Sequence, residues 1–275
     1  MRRLVPFVLA LLVAVIAGCG SHDDYAPPAP AVPLPRYGTA AALTKATGDK
    51  HLLDQTVRFR VTGVSNGDTP QNLAGEGSMR FQPNAVLMRV GLHLQRVGAP
   101  PGPEFTLVTL PEGIYLKLPD QAASMMPPGK SWFRIVNNGT SPAMTAFYQA
   151  AQSLRQNADP SQGFSQLGGA TSIADSDQEL LDNIWAVRYE INMDFTKAAT
   201  LSPDPAMQGA LLHLVQLGAP PDNTTLWLDR QNRVLRRSFA APNGGITTYT
   251  LTMRFLGWSD PVQVDPPPRE QVVSN

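Results

Sequence analysis

The sequence predicts an α+β protein: one large, curved antiparallel β-sheet with two or three helices packed on its concave side. Three observations carry this. Apolar and polar residues alternate with period two in one segment after another, the mark of strands with one dry and one wet face. The links between these segments are mostly of hairpin length, which makes neighbours antiparallel and leaves no room for βαβ units. Only a few stretches show helical spacing, and they interrupt the strands rather than alternate with them.

The folded part is expected to begin near Gly38, with a short helix over Thr39 to Lys50. In the first strand Val57, Phe59 and Val61 alternate with Arg58, Arg60 and Thr62. The turn Ser65-Asn66-Gly67-Asp68 follows, because Asn-Gly tolerates the backbone of a tight reversal. A second strand runs over about 73–81. The third, 85–95, sets Val86, Met88, Val90, Leu92 and Leu94 on one face and Arg89, Gly91 and His93 on the other. Strands 104–110 and 113–118 form a hairpin around Pro111-Glu112-Gly113, and another strand starts at Trp132.

Ser141 to Gln156 reads as a helix, with Ser141 as N-cap and Pro142 in the first turn. Asp177 to Asp182 reads as a link into a long strand, 184–195. There Trp185, Val187, Tyr189, Ile191, Met193 and Phe195 line one face. Pro203 to Leu217 is a second amphipathic helix, stopped by Gly218-Ala219-Pro220-Pro221. Strands 224–229 and 233–240 make a hairpin over Asp229 to Asn232. A last strand, 246–256, carries Leu251 and Met253, and a coil-rich tail ends the chain.

The N-terminus has the layout of an export signal. Met1-Arg2-Arg3 is basic, Leu4 to Ile16 is almost wholly apolar, and Ala17 and Gly18 are small. The run is shorter than the ~20 apolar residues that span a bilayer. Ile16-Ala17-Gly18-Cys19 resembles the bacterial lipobox, whose cysteine is diacylated as the signal is removed. The expected product begins at Cys19, lipid-anchored to the extracytoplasmic face of the cell membrane, since each buried methylene adds roughly 0.8 kcal/mol of membrane affinity. Residues 1–18 are then the signal, 19–37 a Pro/Ala-rich tether, and 38–275 a single domain. Proline totals 26 in 275 residues, roughly twice the usual share of about 5%. Much of it sits in the tether and in Pro-Pro turns.

Composition narrows the function. Charged residues are 16% of the chain, and bases and acids balance at 22 each, leaving the acids slightly ahead once Arg2 and Arg3 are removed. No basic patch invites nucleic acid. Cys19 is the only cysteine, so its acylation leaves no thiol for a disulfide, a metal site or a nucleophile.

Enzyme motifs are weak. Gly63-Val64-Ser65-Asn66-Gly67 fits G-x-S-x-G, but a nucleophile elbow needs a helix after the serine, and Asp68-Thr69-Pro70 follows here. His22, His51, His93 and His213 form no zinc-binding pair. Asp175 and Asp177 lack the glycine and distal glutamate of a calcium loop. No catalytic residue, metal or cofactor is expected.

Several segments, in order, resemble the actinobacterial (mycobacterial-type) LppX/LprG lipoproteins. They are Ile114-Tyr115-Leu116-Lys117-Leu118-Pro119 and Gly129-Lys130-Ser131-Trp132-Phe133-Arg134-Ile135; Leu226-Trp227-Leu228-Asp229 with Val234-Leu235-Arg236-Arg237; and Phe255-Leu256-Gly257-Trp258 with Pro261 to Pro267. The resemblance departs at 257–261, 96–103 and 157–183. It implies a LolA/LolB-like half-barrel with helices on its concave face around an apolar cavity. It also implies a non-enzymatic role: binding an acyl lipid or lipoglycan and carrying or presenting it, with an envelope transporter as a protein partner. The residues expected to line the cavity are Val57, Phe59, Val61, Val86, Met88, Val90, Leu92, Leu94, Trp185, Val187, Tyr189, Ile191, Met193, Leu251 and Met253. A packed core asks for the same residue types, and flexible methionines suit either purpose. The alternative is an envelope scaffold or sensor module that binds a membrane protein partner.

Overall fold

A computed structural model describes residues 33–66, 70–100, 102–135, 148, 151, 169–202, 205–216, 222–243 and 247–273. The signal, Cys19 and most of the tether lie outside them. So does the expected helix Ser141–Gln156, apart from Tyr148 and Ala151, which are both helical.

The described chain forms one twelve-stranded sheet that does not close on itself. In chain order the strands are β1 (Thr56–Asn66), β2 (Gln71–Gln82), β3 (Ala85–Arg96), β4 (Glu104–Leu110), β5 (Gly113–Lys117), β6 (Trp132–Ile135), β7 (Thr171–Leu181), β8 (Ile184–Met193), β9 (Asp222–Leu228), β10 (Val234–Asn243), β11 (Thr247–Leu256) and β12 (Val272–Val273). Their order across the sheet is β12-β6-β5-β4-β3-β2-β1-β11-β10-β9-β8-β7. Every pair is antiparallel except β12 with β6. The first and second halves of the chain therefore each build a meander, and β1 and β11 join them through a nine-residue ladder from Arg58↔Leu256 to Asn66↔Thr248.

Alternation decides which face each side chain takes. In β1, Val57, Phe59 and Val61 are buried while Arg58, Arg60 and Thr62 are exposed. The registers carry that parity outward. Phe255, Phe59, Gly77, Val90, Leu107 and Leu116 form one row across the inner face.

Helix α1 (Ala40–Asp54) packs on this inner face. Thr39 caps it, its hydroxyl accepting from the Ala42 N–H at 3.2 Å. Leu43 enters the core, and the His51 ring packs against both Phe81 and Trp258, at centroid distances of 4.6 and 5.0 Å, in a three-ring cluster. The helix touches both β2 and β7, six places apart in the sheet. In a flat sheet that is about 29 Å at ~4.8 Å per strand. A fifteen-residue helix is only about 22 Å long. The sheet therefore bends around α1, which lies across one end of the inner face, beside the turns at 83–84, 229–233 and 257–260.

Two short helices, α2 (Phe195–Leu201) and α3 (Pro205–Gln216), sit at the far end of β7 and β8. Their small core joins Ala198, Ala199 and Leu211 to Ala170, Met193 and Phe195.

Four expectations are corrected. Phe195 does not extend β8; Asp194 ends the strand and caps α2, accepting from the Lys197 N–H at 3.0 Å. Residues 177–182 are not a bare link but part of β7, whose register slips between Ile173 and Asp175. The tail is not all coil. It returns over the outer face, burying Val264 against Leu87, Val108, Leu110 and Trp132, and ends as β12 on the β6 edge. A covered edge offers no template for another chain. Finally, packing begins ahead of Gly38: Leu34 is buried in the core and Tyr37 lies against it.

Candidate functional site

All fifteen residues expected to line the cavity fall on the inner face, since they share parity across the registered ladders. Val57, Val61, Met88, Val90, Tyr189 and Met253 have no exposed surface. Trp185 is half-buried at the α1 end. Met193 joins the α2–α3 cluster rather than the main core.

Coverage of this face changes along the strands. Toward the α1 end Phe59, Met79, Phe81, Val86 and Met88 are buried. Toward the far end the apolar row continues as Leu73, Leu92, Leu94 and Phe105, but these side chains are only half-buried. Leu92 pairs with Phe105 across β3 and β4, and Leu73 with Leu94 across β2 and β3. Among the described residues of β2, β3 and β4, burial of this face falls in that direction.

The α1 end is sealed by polar bonds. The Asp54 carboxylate, nearly buried, accepts from Lys50 Nζ at 2.8 Å, Arg233 Nε at 2.8 Å and Ser259 Oγ at 3.2 Å. Burial pushes this carboxyl up, but the hydrogen bonds from Arg233 and Lys50, with their charges, outweigh it and hold it below its ordinary value. Burial pushes the Tyr189 phenol above its ordinary value, against the hydrogen bond from Tyr37.

One inner-face residue was not anticipated. Arg237 is buried, opposite Leu226 and Met253, with its guanidinium carbon 5.1 Å from the Phe239 ring centroid. Its alternation with Phe239 is visible in Val234-Leu235-Arg236-Arg237-Ser238-Phe239.

The outer face is different in kind. A groove of about 770 Å3 crosses β1 to β4. Its rims hold paired charges: Arg60 with Glu76 at 2.5 Å, and His93 with Glu104 at 3.4 Å. Such a lining suits no acyl chain.

Ser65 does not sit on an elbow. It belongs to β1, is buried, and its Oγ accepts from the Gln71 N–H at 2.8 Å, inside the hairpin. His93 Nδ1 lies 3.0 Å from the Gly102 carbonyl oxygen, and His213 is exposed on α3.

No protein-family model and no curated protein matches the chain. Among solved structures, LprF from Mycobacterium bovis aligns with 83% of this chain and 96% of its own, at 15% identity and a TM-score of 0.41. A DUF1329 family protein from Desulfovibrio piger aligns with 80% of this chain and 92% of its own, at 10% identity and a TM-score of 0.32. In the Pseudomonas aeruginosa MucA/MucB complex, 78% of this chain aligns with 56% of the matched chain, at 12% identity and a TM-score of 0.32.

Proposed function

We propose that this chain is an envelope lipoprotein, anchored through acylated Cys19, that holds an acyl lipid or glycolipid against the inner face of its sheet and carries or presents it. One observation carries the reading. The apolar inner face is tied to α1 at one end, and toward the other its row on β2, β3 and β4 continues as half-buried Leu73, Leu92, Leu94 and Phe105. A core that served stability alone would end where its cover ends, because half-exposed apolar rows forgo the gain of about 25 cal/mol per Å2 buried. An acyl chain entering from that side would complete the burial. The fifteen inner-face residues are its proposed contacts.

The test is to purify the full lipidated chain, extract it with organic solvent and identify what it releases by mass spectrometry. A bound acyl lipid recovered beyond the chains on Cys19, and displaced by a fluorescent fatty acid, supports the reading. A chain that releases none and takes up no probe overturns it. A Cys19→Ser variant that stays with the membrane fraction would overturn the anchor.

A further inference from the structure

We propose that the far end of the sheet, with the α2–α3 hairpin, rests on the lipid bilayer surface to which the chain is tethered. This rests on the anchored-carrier reading and adds where the carrier meets its lipid source.

The exposed apolar side chains motivate it. Leu201, Leu212 and Val215 are 46%, 47% and 40% exposed. Leu212 and Val215, three apart on α3, share one helix face. Val215 shares a groove of about 360 Å3 with Ala170, Met193 and Phe195, edged by Ser172, Asn192, Asp194 and Thr196. Leu201 packs against Gly169, whose added Cβ would lie 2.8 Å from its Cδ1. Contiguous exposed apolar surface marks an interaction site. The ladders place Met193, Asp222, Tyr249, Ser65, Asn72 and Gln95 at this same end. Exposed Val97 follows directly beyond Arg96. The inner-face row Leu73, Leu92, Leu94 and Phe105 opens toward it.

Charge agrees with a lipid surface rather than a charged protein. Helices α2 and α3 contain one lysine, Lys197, one histidine, His213, and no acidic residue, and the one carboxylate at the groove, Asp194, is engaged by the Lys197 N–H as the α2 cap. The contact would be apolar insertion at the interface, independent of anionic lipid and of salt.

Chain length permits it. The last tether residues dock on Tyr189, four residues before Met193, or about 13 Å from the far end at ~3.3 Å per residue. Gly20 to Pro33 is fourteen residues, which could reach about 43 Å as an extended Pro-rich segment. The bilayer is therefore in range with slack to spare.

The test uses the lipidated full chain in phosphatidylcholine vesicles. Acylation blocks Cys19, so Leu212→Cys and Leu53→Cys each offer one thiol for an environment-sensitive dye. Leu53 is 74% exposed at the α1 end and serves as the control. The expected result is a blue-shifted dye at 212 that loses most of its emission to brominated acyl chains, in high salt as in low. The dye at 53 should remain water-like. Vesicles that float with the protein while both dyes stay in water would leave the anchor standing and overturn the docking. A dye at 53 quenched in place of 212 overturns it too, by putting the other end on the membrane. Shielding at 212 without quenching would assign the surface to a second copy of the chain, with the same consequence. Protein that fails to float would remove the anchored reading and this proposal together.

Discussion

The backbone N–H of Tyr37 donates to the phenol oxygen of Tyr189 at 3.1 Å, and the same hydroxyl donates to the Pro35 carbonyl at 3.3 Å. One buried oxygen thereby fastens the strap that leads into α1. The Tyr37 hydroxyl continues the chain to Asn232 Oδ1 at 2.7 Å. Replacing Tyr189 by Phe keeps the ring and removes the fastener, leaving two backbone groups to find water. The expected cost is about 1–3 kcal/mol, read by urea unfolding. Amide exchange should quicken at 34–39. Unchanged stability and exchange would mean that packing alone holds the strap.

Asp54 ties the other end of α1 to the 229–233 turn and to Ser259. Its folded pKa is held below the ordinary value of about 3.9. The sign follows: a depressed carboxyl stabilises the fold fully above its unfolded pKa, and that contribution is lost as pH falls through the folded value. Asp54→Asn should cost about 2–3 kcal/mol at neutral pH, less than a fully buried pair because Arg233 is one-third exposed. The gap between variant and wild type should close as the solution is acidified through the depressed folded-state titration of Asp54. Denaturant melts across pH measure both, and a gap that persists in acid would argue that shape, not charge, makes Asp54 matter.

Gly77 matters through close approach. A Cβ there would lie 2.4 Å from the Arg89 carbonyl oxygen and 2.6 Å from Phe59 Cζ. Gly77→Ala should destabilise by about 1–3 kcal/mol, visible as a lower Tm. Pairing it with Phe59→Leu should recover only part, because the Arg89 oxygen is backbone and cannot turn aside. Full recovery would mean that the ring is the whole obstacle.

Much of this architecture can be read from alternation, and its failures have local causes. Val57, Phe59 and Val61 reveal β1 because Arg58, Arg60 and Thr62 interrupt them on every second residue. The period-two pattern of β8 runs on through Phe195, yet the Asp194 side chain caps the next helix, and the cap wins over the alternation. Strand β7 hides because its register slip between Ile173 and Asp175 breaks the period within a run of Asp and Ser. Two-residue β12 exists only through its pairing with Trp132 and Phe133, which no local pattern encodes. The face of each candidate site residue was legible, since parity fixes it. The depth of each was not. Met88 and Leu92 look alike in sequence, and only what lies over them makes one buried and the other half-open.

That difference in depth yields the sharpest prediction. Phe105 and Leu92 face each other at the half-covered end, while Met88 lies four registered pairs deeper with no exposed surface. A carboxylate at 105 can keep contact with water, so Phe105→Asp should leave a cooperative melt only slightly lower. It should nonetheless abolish uptake of a fluorescent fatty acid, because a charge at the mouth must be desolvated as the chain enters. Met88→Asp should instead lower stability by several kcal/mol, since its carboxyl has nowhere to hydrate. Comparing uptake with melting in the two full-length variants separates a mouth from a core. If Phe105→Asp loads probe like the wild type, the acyl chain does not enter between β3 and β4. If it unfolds as Met88→Asp does, the half-covered row is ordinary core.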